Sequence, residues 1–340
     1  MKKKQDIPTA TELKSLYFDV LNGYTSMKLN DKTVFLKHLN VFDSIDTDKE
    51  YSQCLERAKS KKLPTEKEKI EYLIEEGLWS NEKEEKVKTL KEYIIGLEET
   101  KSKIFMEAEV NYVKEQIEIK SQKLKDLTME KLKLVGVTAE KYAEKRSNEY
   151  YMRMVIYKDK EFKEPYYSEE DFDDLSDQSL NDVFTLYSGA SRFLNNQCIK
   201  RLSIASFFTT FYYLCDDNPY TFYGKPVYTL TFFQNELFAY ARYFKSLAQD
   251  AKVKAPTDMQ DDPDALIEFY EGSKNAQEAA DKMNQGKGAQ GAGASTVVGA
   301  SQKDLEKMGY GKQQGISLAA EAKKRGGKLT MEDFADIHVQ

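Results

Sequence analysis

The stretch FFTTFYYLCDDNPYTFYGKPVYTLTFFQNELFAYARYF, residues 207–244, carries 15 aromatic side chains in 38 positions. Each such ring buries on the order of 150–250 Å², so this segment has to be a packed interior or an interface. Phe207, Phe211 and Leu214, and then Phe233, Leu237, Ala241 and Phe244, recur at steps of three and four, which is the spacing of one helical face. Asn218-Pro219 and Gly224-Lys225-Pro226 put a turn-rich break between them. The pattern predicts a helix over 199–215 and a second near 231–249, capped by Thr231 and Gln234, folded back on each other. Only Arg201, Lys225, Arg242 and Lys245 are basic between 201 and 245. Core packing is therefore preferred to a groove in which rings and cations stack single-stranded bases.

Upstream the character is opposite. Residues 60–146 hold 19 basic and 19 acidic side chains, with Glu82/Lys86, Glu84/Lys88 and Glu99/Lys103 at i,i+4. Sparse apolar positions stay in register: Val87, Leu90, Ile94 and Leu97 on one segment, Val110, Val113, Ile117, Leu124 and Leu127 on the next. That is a coiled-coil seam. The step from Ile104 to Val110 breaks its phase and Lys120 and Lys131 fall on inward positions, which favours a short antiparallel helical hairpin over a rod. Capping signals punctuate the region: Pro64, Thr65 and Glu68 open one helix, Gly77 closes it before Trp79, a second start lies near Ser80, Gly136 ends the long segment and Thr138 begins another. Between Tyr166 and Asp182 the chain turns acidic, with Ser168 and Asp171 at the head of a short helix.

At the N-terminus, Thr9 and Glu12 form a capping box before Leu13, Leu16, Tyr17 and Leu21, and Gly23 stops that helix. Two β-prone runs then flank Asn30-Asp31-Lys32, a turn signal that predicts a small hairpin. Beyond Asp250, Pro256 and Asp261-Asp262-Pro263 mark a linker, DALIEFYEGS reads as one short helix, and GKGAQGAGASTVVGAS is low complexity. Leu305 to Met308, Ile316 to Ala322 and Leu329 to Phe334 look like short amphipathic motifs on a tether, and the first protease cleavage is expected between Gln285 and Ser301. The expected fold is mainly α: a helical bundle with a charged helical hairpin, a small N-terminal β-hairpin and a flexible C-terminal arm. Its expected division is 1–60 for the α+β segment, 61–160 for the charged hairpin, 161–250 for the aromatic core and 251–340 for the linker and arm.

The 340 residues carry a net charge of −6 and contain two histidines and three cysteines. No global positive field recruits nucleic acid or an anionic membrane, and zinc, haem and iron–sulfur chemistry lose most of their ligands. Cys54, Cys198 and Cys215 are widely spaced thiols that suit a reducing compartment. Lys2, Lys3 and Lys4 are followed by Asp6 and Pro8 rather than an apolar run, so no signal peptide is expected. The longest apolar stretch, Leu202 to Cys215, is too short for a membrane span of about 20 residues.

The chemical motifs are weak. Gly286-x-Gly288-x-x-Gly291 lacks the strand before it and the helix start after it that a pyrophosphate needs, and reads as linker. His38 and His338 are too far apart to form a metal pair by spacing, and His38 reads as a surface or edge-strand residue. Glu169, Glu170, Asp171, Asp173, Asp174 and Asp177 fail the middle of a calcium-loop pattern, and read as a helix start and a solvated face. Cys198 and Cys215 fall in apolar helices, where a thiol is inert.

The opening LKSLYFDVLNGYTSMKLNDKTVFLKHLN, residues 13–40, the charged middle, and NPYTFYGKPVYTLTFFQNELFAYARYFKSL, residues 218–247, resemble tail or baseplate assembly proteins of large tailed bacteriophages, including the T4-type hub assembly group. The resemblance implies non-enzymatic work in the host cytoplasm, as a chaperone or a minor structural part of the virion, with other tail or baseplate proteins as partners and no cofactor. The residues expected to make those contacts are Trp79, beside a helix stop, Tyr220, Phe222 and Tyr223 on the central turn, and Phe334 in the last motif; against this, Trp79 and Phe222 are large aromatics of a kind more often buried than exposed. Two other functions compete with this one. An enzyme would need Asp216 or Asp217 beside Glu236; a nucleic-acid-binding accessory would need a basic face from Arg146, Arg153, Lys158, Lys160 and Arg201.

Overall fold

The computed structural model describes residues 7–251 and 254–285. Among them are thirteen α-helices and one three-stranded antiparallel sheet. The described residues form two compact units, each from two stretches: those of 7–79 with 133–246, and those of 80–132 with 247–285. The arm expected beyond 285, with Phe334, lies outside the described residues.

In the first unit, α1 (Ala10–Asn22) opens with the Thr9/Glu12 capping box and stops at Gly23, whose φ of 80° is left-handed. Strands β1 (Tyr24–Leu29) and β2 (Lys32–Lys37) pair Leu29 with Lys32 across a two-residue turn. Asn30 and Asp31 both have positive φ, 50° and 61°, the requirement of a type I′ hairpin turn. The hairpin is as expected, but a third strand, β3 (Ile156–Tyr157), adds to β2. Two residues at the end of a helix carry too short a pattern to announce a strand.

Helix α2 (Val41–Ser60) runs along α6 (Ala139–Val155). The buried residues there are small, Cys54 and Ala58 on one helix and Ala139, Ala143 and Ser147 on the other, which lets the two backbones approach. The Ser147 hydroxyl donates to the Thr47 carbonyl at 3.3 Å. Helix α3 (Glu66–Glu75) carries the Thr65/Glu68 capping box, and α7 (Glu169–Asp173) and α8 (Asp177–Ala190) begin at Ser168 and Ser176. Leu29, Val34 and Leu36 of the hairpin form one core with Met152, Val155, Ile156, Phe172 and Val183.

The aromatic core has more contributors than its own segment. Helices α9 (Asn196–Ile204), α10 (Ser206–Leu214), α11 (Pro219–Tyr223) and α12 (Phe232–Asp250) enclose it together with Leu16, Tyr17 and Val20 of α1. The helix expected over 199–215 is interrupted at Ala205, whose ψ of 132° is extended. Geometry explains the interruption: at 100° per residue, Leu202 and Phe208 on one straight helix would point about 120° apart. The bend lets both face the same core, where both are fully buried.

The second unit holds α4 (Asn81–Lys101), α5 (Glu107–Val135) over most of its length, and α13 (Pro263–Gln285). Helices α4 and α5 are antiparallel: Lys83 pairs with Glu130 at 2.7 Å and Lys131 with Glu84 at 2.9 Å, while the Lys120 ammonium sits 5.3 Å from the centre of the Tyr93 ring. The two inward lysines of the seam are thus accommodated by a carboxylate and a ring face. The short helix expected over DALIEFYEGS is the first part of a 23-residue helix that continues to Gln285. Asp262 accepts the N–H groups of Asp264 and Ala265 at 3.0 and 3.2 Å, so the Asp-Pro that looked like a break is a helix start with proline in the first turn. Gly272 and Ser273 are buried small residues within this helix. Lys114 pairs with Glu268 at 2.6 Å, and the Asn275 amide donates to the Ser102 carbonyl at 2.7 Å.

Candidate protein-contact surface

The turn between α10 and α12 is held from inside. Asn218 caps α11 by accepting the N–H groups of Tyr220 and Thr221, Pro219 stands in its first turn, and Gly224 ends it at a φ of 64°. Tyr223 is 9% exposed and donates its hydroxyl to the Gln234 carbonyl at 3.2 Å; burial pushes its phenol far above the usual range. Phe222 is half-buried, with ring centres 5.7 Å from Phe208 and 5.2 Å from Phe238. Both residues therefore serve mainly as packing, and of the three turn residues only Tyr220 stands out, at 59% exposure. Trp79 is also withdrawn from the surface: at 3% exposure it forms a small core with Leu73 and Val135, because the residues after Gly77 turn back so that the Leu78 and Trp79 N–H groups both donate to the Leu73 carbonyl.

One group of exposed apolar side chains sits at a backbone junction. Thr231 and Asn40 form an isolated antiparallel bridge, and the Phe232 N–H donates to the Leu39 carbonyl at 2.9 Å. This backbone junction places the start of α2 beside the start of α12. The rings of Phe42 and Tyr228 meet edge to face, centres 6.4 Å apart, with Phe42 53% and Tyr228 66% exposed. Val41, Ile45, Val227 and Phe232 are exposed around them. Asn40 positions the α2 half by capping the helix, accepting the N–H groups of Phe42 and Asp43, while Lys37 pairs with Asp43 at 2.6 Å. Val41, Phe42 and Ile45 were not legible in the sequence, because a capped helix start gives no sign of which neighbour covers its apolar positions.

A second feature lies beneath this junction. His38 is 4% exposed, against the surface position expected of it. Its Nε2 lies 3.0 Å from the Thr25 hydroxyl, its Nδ1 has no partner, and its ring abuts Phe233. Burial lowers its pKa to about 4. Burial also raises Asp19 to about 6, against a hydrogen bond from Thr25 that holds it down. A Thr25 hydroxyl that donates to Asp19 accepts from His38, which fixes the Nε2–H tautomer.

Parts of the two rival constellations are engaged in other contacts. Asp217 pairs with Lys245 rather than Glu236, and those two α12 residues are nine apart, about 13 Å along the axis. Arg146 pairs with Glu149 and Asp173, and Arg153 pairs with Glu169 and covers the Tyr150 ring, so neither is spare for phosphate. Among the described residues no three His, Cys, Asp or Glu side chains are placed to hold a metal ion, and no helix is long and apolar enough to cross a membrane. The three cysteines are free and buried; burial raises the thiols of Cys54 and Cys198.

Comparison of the chain with protein-family models, curated proteins and solved structures finds no match.

Proposed function

We propose that this chain acts without catalysis, through protein contacts, as an assembly protein of a tailed bacteriophage: a chaperone or minor component of the tail or baseplate, working in the host cytoplasm and retained or not in the virion. The observation that carries the contact reading is the exposed patch of Val41, Phe42, Ile45, Val227, Tyr228 and Phe232 on a junction fixed by backbone hydrogen bonds. Exposed apolar clusters of this kind mark interaction sites, and aromatic anchors on a rigid base supply most of the energy of an interface. Tyr220 extends the exposed aromatic surface of the same unit. The phage assignment rests on the resemblance of residues 13–40 and 218–247.

The test is affinity purification of the tagged chain from infected cells, followed by mass spectrometry, alongside a double variant, Phe42→Ser with Tyr228→Ser. Recovery of tail or baseplate polypeptides by the parent and their loss with the variant is the expected result. Recovery of only small molecules or DNA overturns the proposal.

A further inference from the structure

A cleft of about 500 Å³ opens between the sheet and the segment leading into α7 and α8, lined in part by Lys32, Val34, Lys158, Tyr166, Tyr167 and Asp171. Its volume lies within the range of about 300–1,000 Å³ usual for small-molecule sites. The sheet register explains why two lysines meet there. Phe35 stands opposite Tyr157 and Leu36 opposite Ile156, so continuing the ladder sets Lys158 opposite Val34. Lys32, two residues before Val34, points to the same face. Like charges set on neighbouring positions of one sheet face repel, yet neither ammonium makes an ion pair among the described residues. Of the nearby carboxylates, Glu169 faces Arg153 and Asp173 faces Arg146, while Asp171, which lines the cleft, accepts the Ser168 hydroxyl at 2.7 Å and forms no ion pair with either lysine.

Two of the lining residues are aromatic. Tyr166 and Tyr167 meet edge to face with centres 4.8 Å apart, and Tyr167 rests on Phe172 of the core, so these rings are fixed rather than swinging in solvent. Val34, 1% exposed, closes the floor. The lining thus combines two unpaired ammonium groups, two aromatic rings set at 79° to each other and a carboxylate that can accept a further hydrogen bond.

We propose that this cleft binds a small phosphorylated molecule with a planar ring and a hydrogen-bond donor remote from the phosphate, the chemistry of a nucleoside monophosphate. A dianion neutralises the two lysines together, the ring lies against Tyr166 and Tyr167, and an amine or hydroxyl meets Asp171. The site is separate from the contact patch and does not depend on the assembly reading.

The experiment is calorimetric titration of the full chain with adenosine monophosphate, adenosine and inorganic phosphate, repeated on Lys32→Gln and Lys158→Gln. Both lysines are exposed, so the variants should fold, and unchanged circular dichroism melts verify that they do. The expected result is saturable binding of the monophosphate, weakened on the order of tenfold for either variant as one charge-assisted contact is lost, with adenosine and phosphate alone each binding more weakly. Three outcomes overturn the proposal: no saturable binding of the monophosphate up to millimolar concentration, affinity unchanged in both lysine variants, or inorganic phosphate binding as tightly as the monophosphate.

Discussion

At the scale of single residues, Asp19 and His38 oppose each other through proton linkage. The folded-state pKa of His38 is lowered from 6.5 to about 4, so the unfolded chain takes up a proton that the folded chain refuses, and stability is lost as pH falls between those values. Asp19 is raised from 3.8 to about 6. Its contribution is present at low pH and lost as pH rises through 6. Between about pH 4 and 6 the two uptakes cancel. Asp19→Asn should therefore show a urea midpoint that drops more steeply than the parent's from pH 6 to 4, and His38→Gln a midpoint that rises over the same interval; parallel profiles for all three proteins would contradict the linkage. Trp79 belongs to the same scale. Its near-complete burial against Leu73 and Val135 makes Trp79→Ala cost about 3–5 kcal/mol of stability, read as a lowered denaturation midpoint. A Trp79→Phe variant, which keeps a ring, should recover most of the loss.

Elements are joined by a few polar side chains that no periodicity marks. Gln234 accepts the Thr231 N–H at 3.0 Å as half of the expected capping box, and its amide also donates to the carbonyls of Val20 and Leu21, at 2.9 and 3.1 Å. One side chain thus caps α12 and satisfies the last turn of α1, 1% exposed and more than two hundred residues away in sequence. Gln234→Leu keeps the apolar volume and removes those partners. Leaving buried groups unpaired should cost about 1–3 kcal/mol for each that finds no water, measurable by thermal or urea unfolding. In the hairpin, Asp31 holds a φ of 61°, where glycine is free of strain. Asp31→Gly completes the Asn-Gly turn and should stabilise the fold by a few tenths of a kcal/mol or more; destabilisation would show that the Asp31 side chain has another use.

For the whole molecule, the prediction concerns what the surface does without changing the fold. Phe42 and Tyr228 are both more than half exposed, so replacing each with serine should change stability by no more than about 0.5 kcal/mol. If they anchor a partner, the double variant should lose at least about tenfold in affinity for it. A melt shifted by many degrees would instead mean that the pair supports the α2–α12 junction.

Sequence by itself determined the parts governed by local rules. The caps at Thr9, Thr65, Ser80, Thr138 and Ser168, the left-handed stops at Gly23, Gly77 and Gly136, and the Asn30-Asp31 turn are each decided within a few residues by a hydrogen bond or an allowed φ. The antiparallel hairpin was legible for a similar reason, since its seam repeats with the helix period while the phase break from Ile104 to Val110 and its two inward lysines argued against a long rod. Tertiary structure alone decided that α1 closes the aromatic core, that the helix breaks at Ala205, that Trp79 and Tyr223 face inward while Phe42 faces out, and that Lys32 and Lys158 share a face of the sheet. Burial of a ring, and the company of a charge, are properties of neighbours brought together from distant parts of the chain. A periodic pattern states that a face is apolar, and only packing states what covers it.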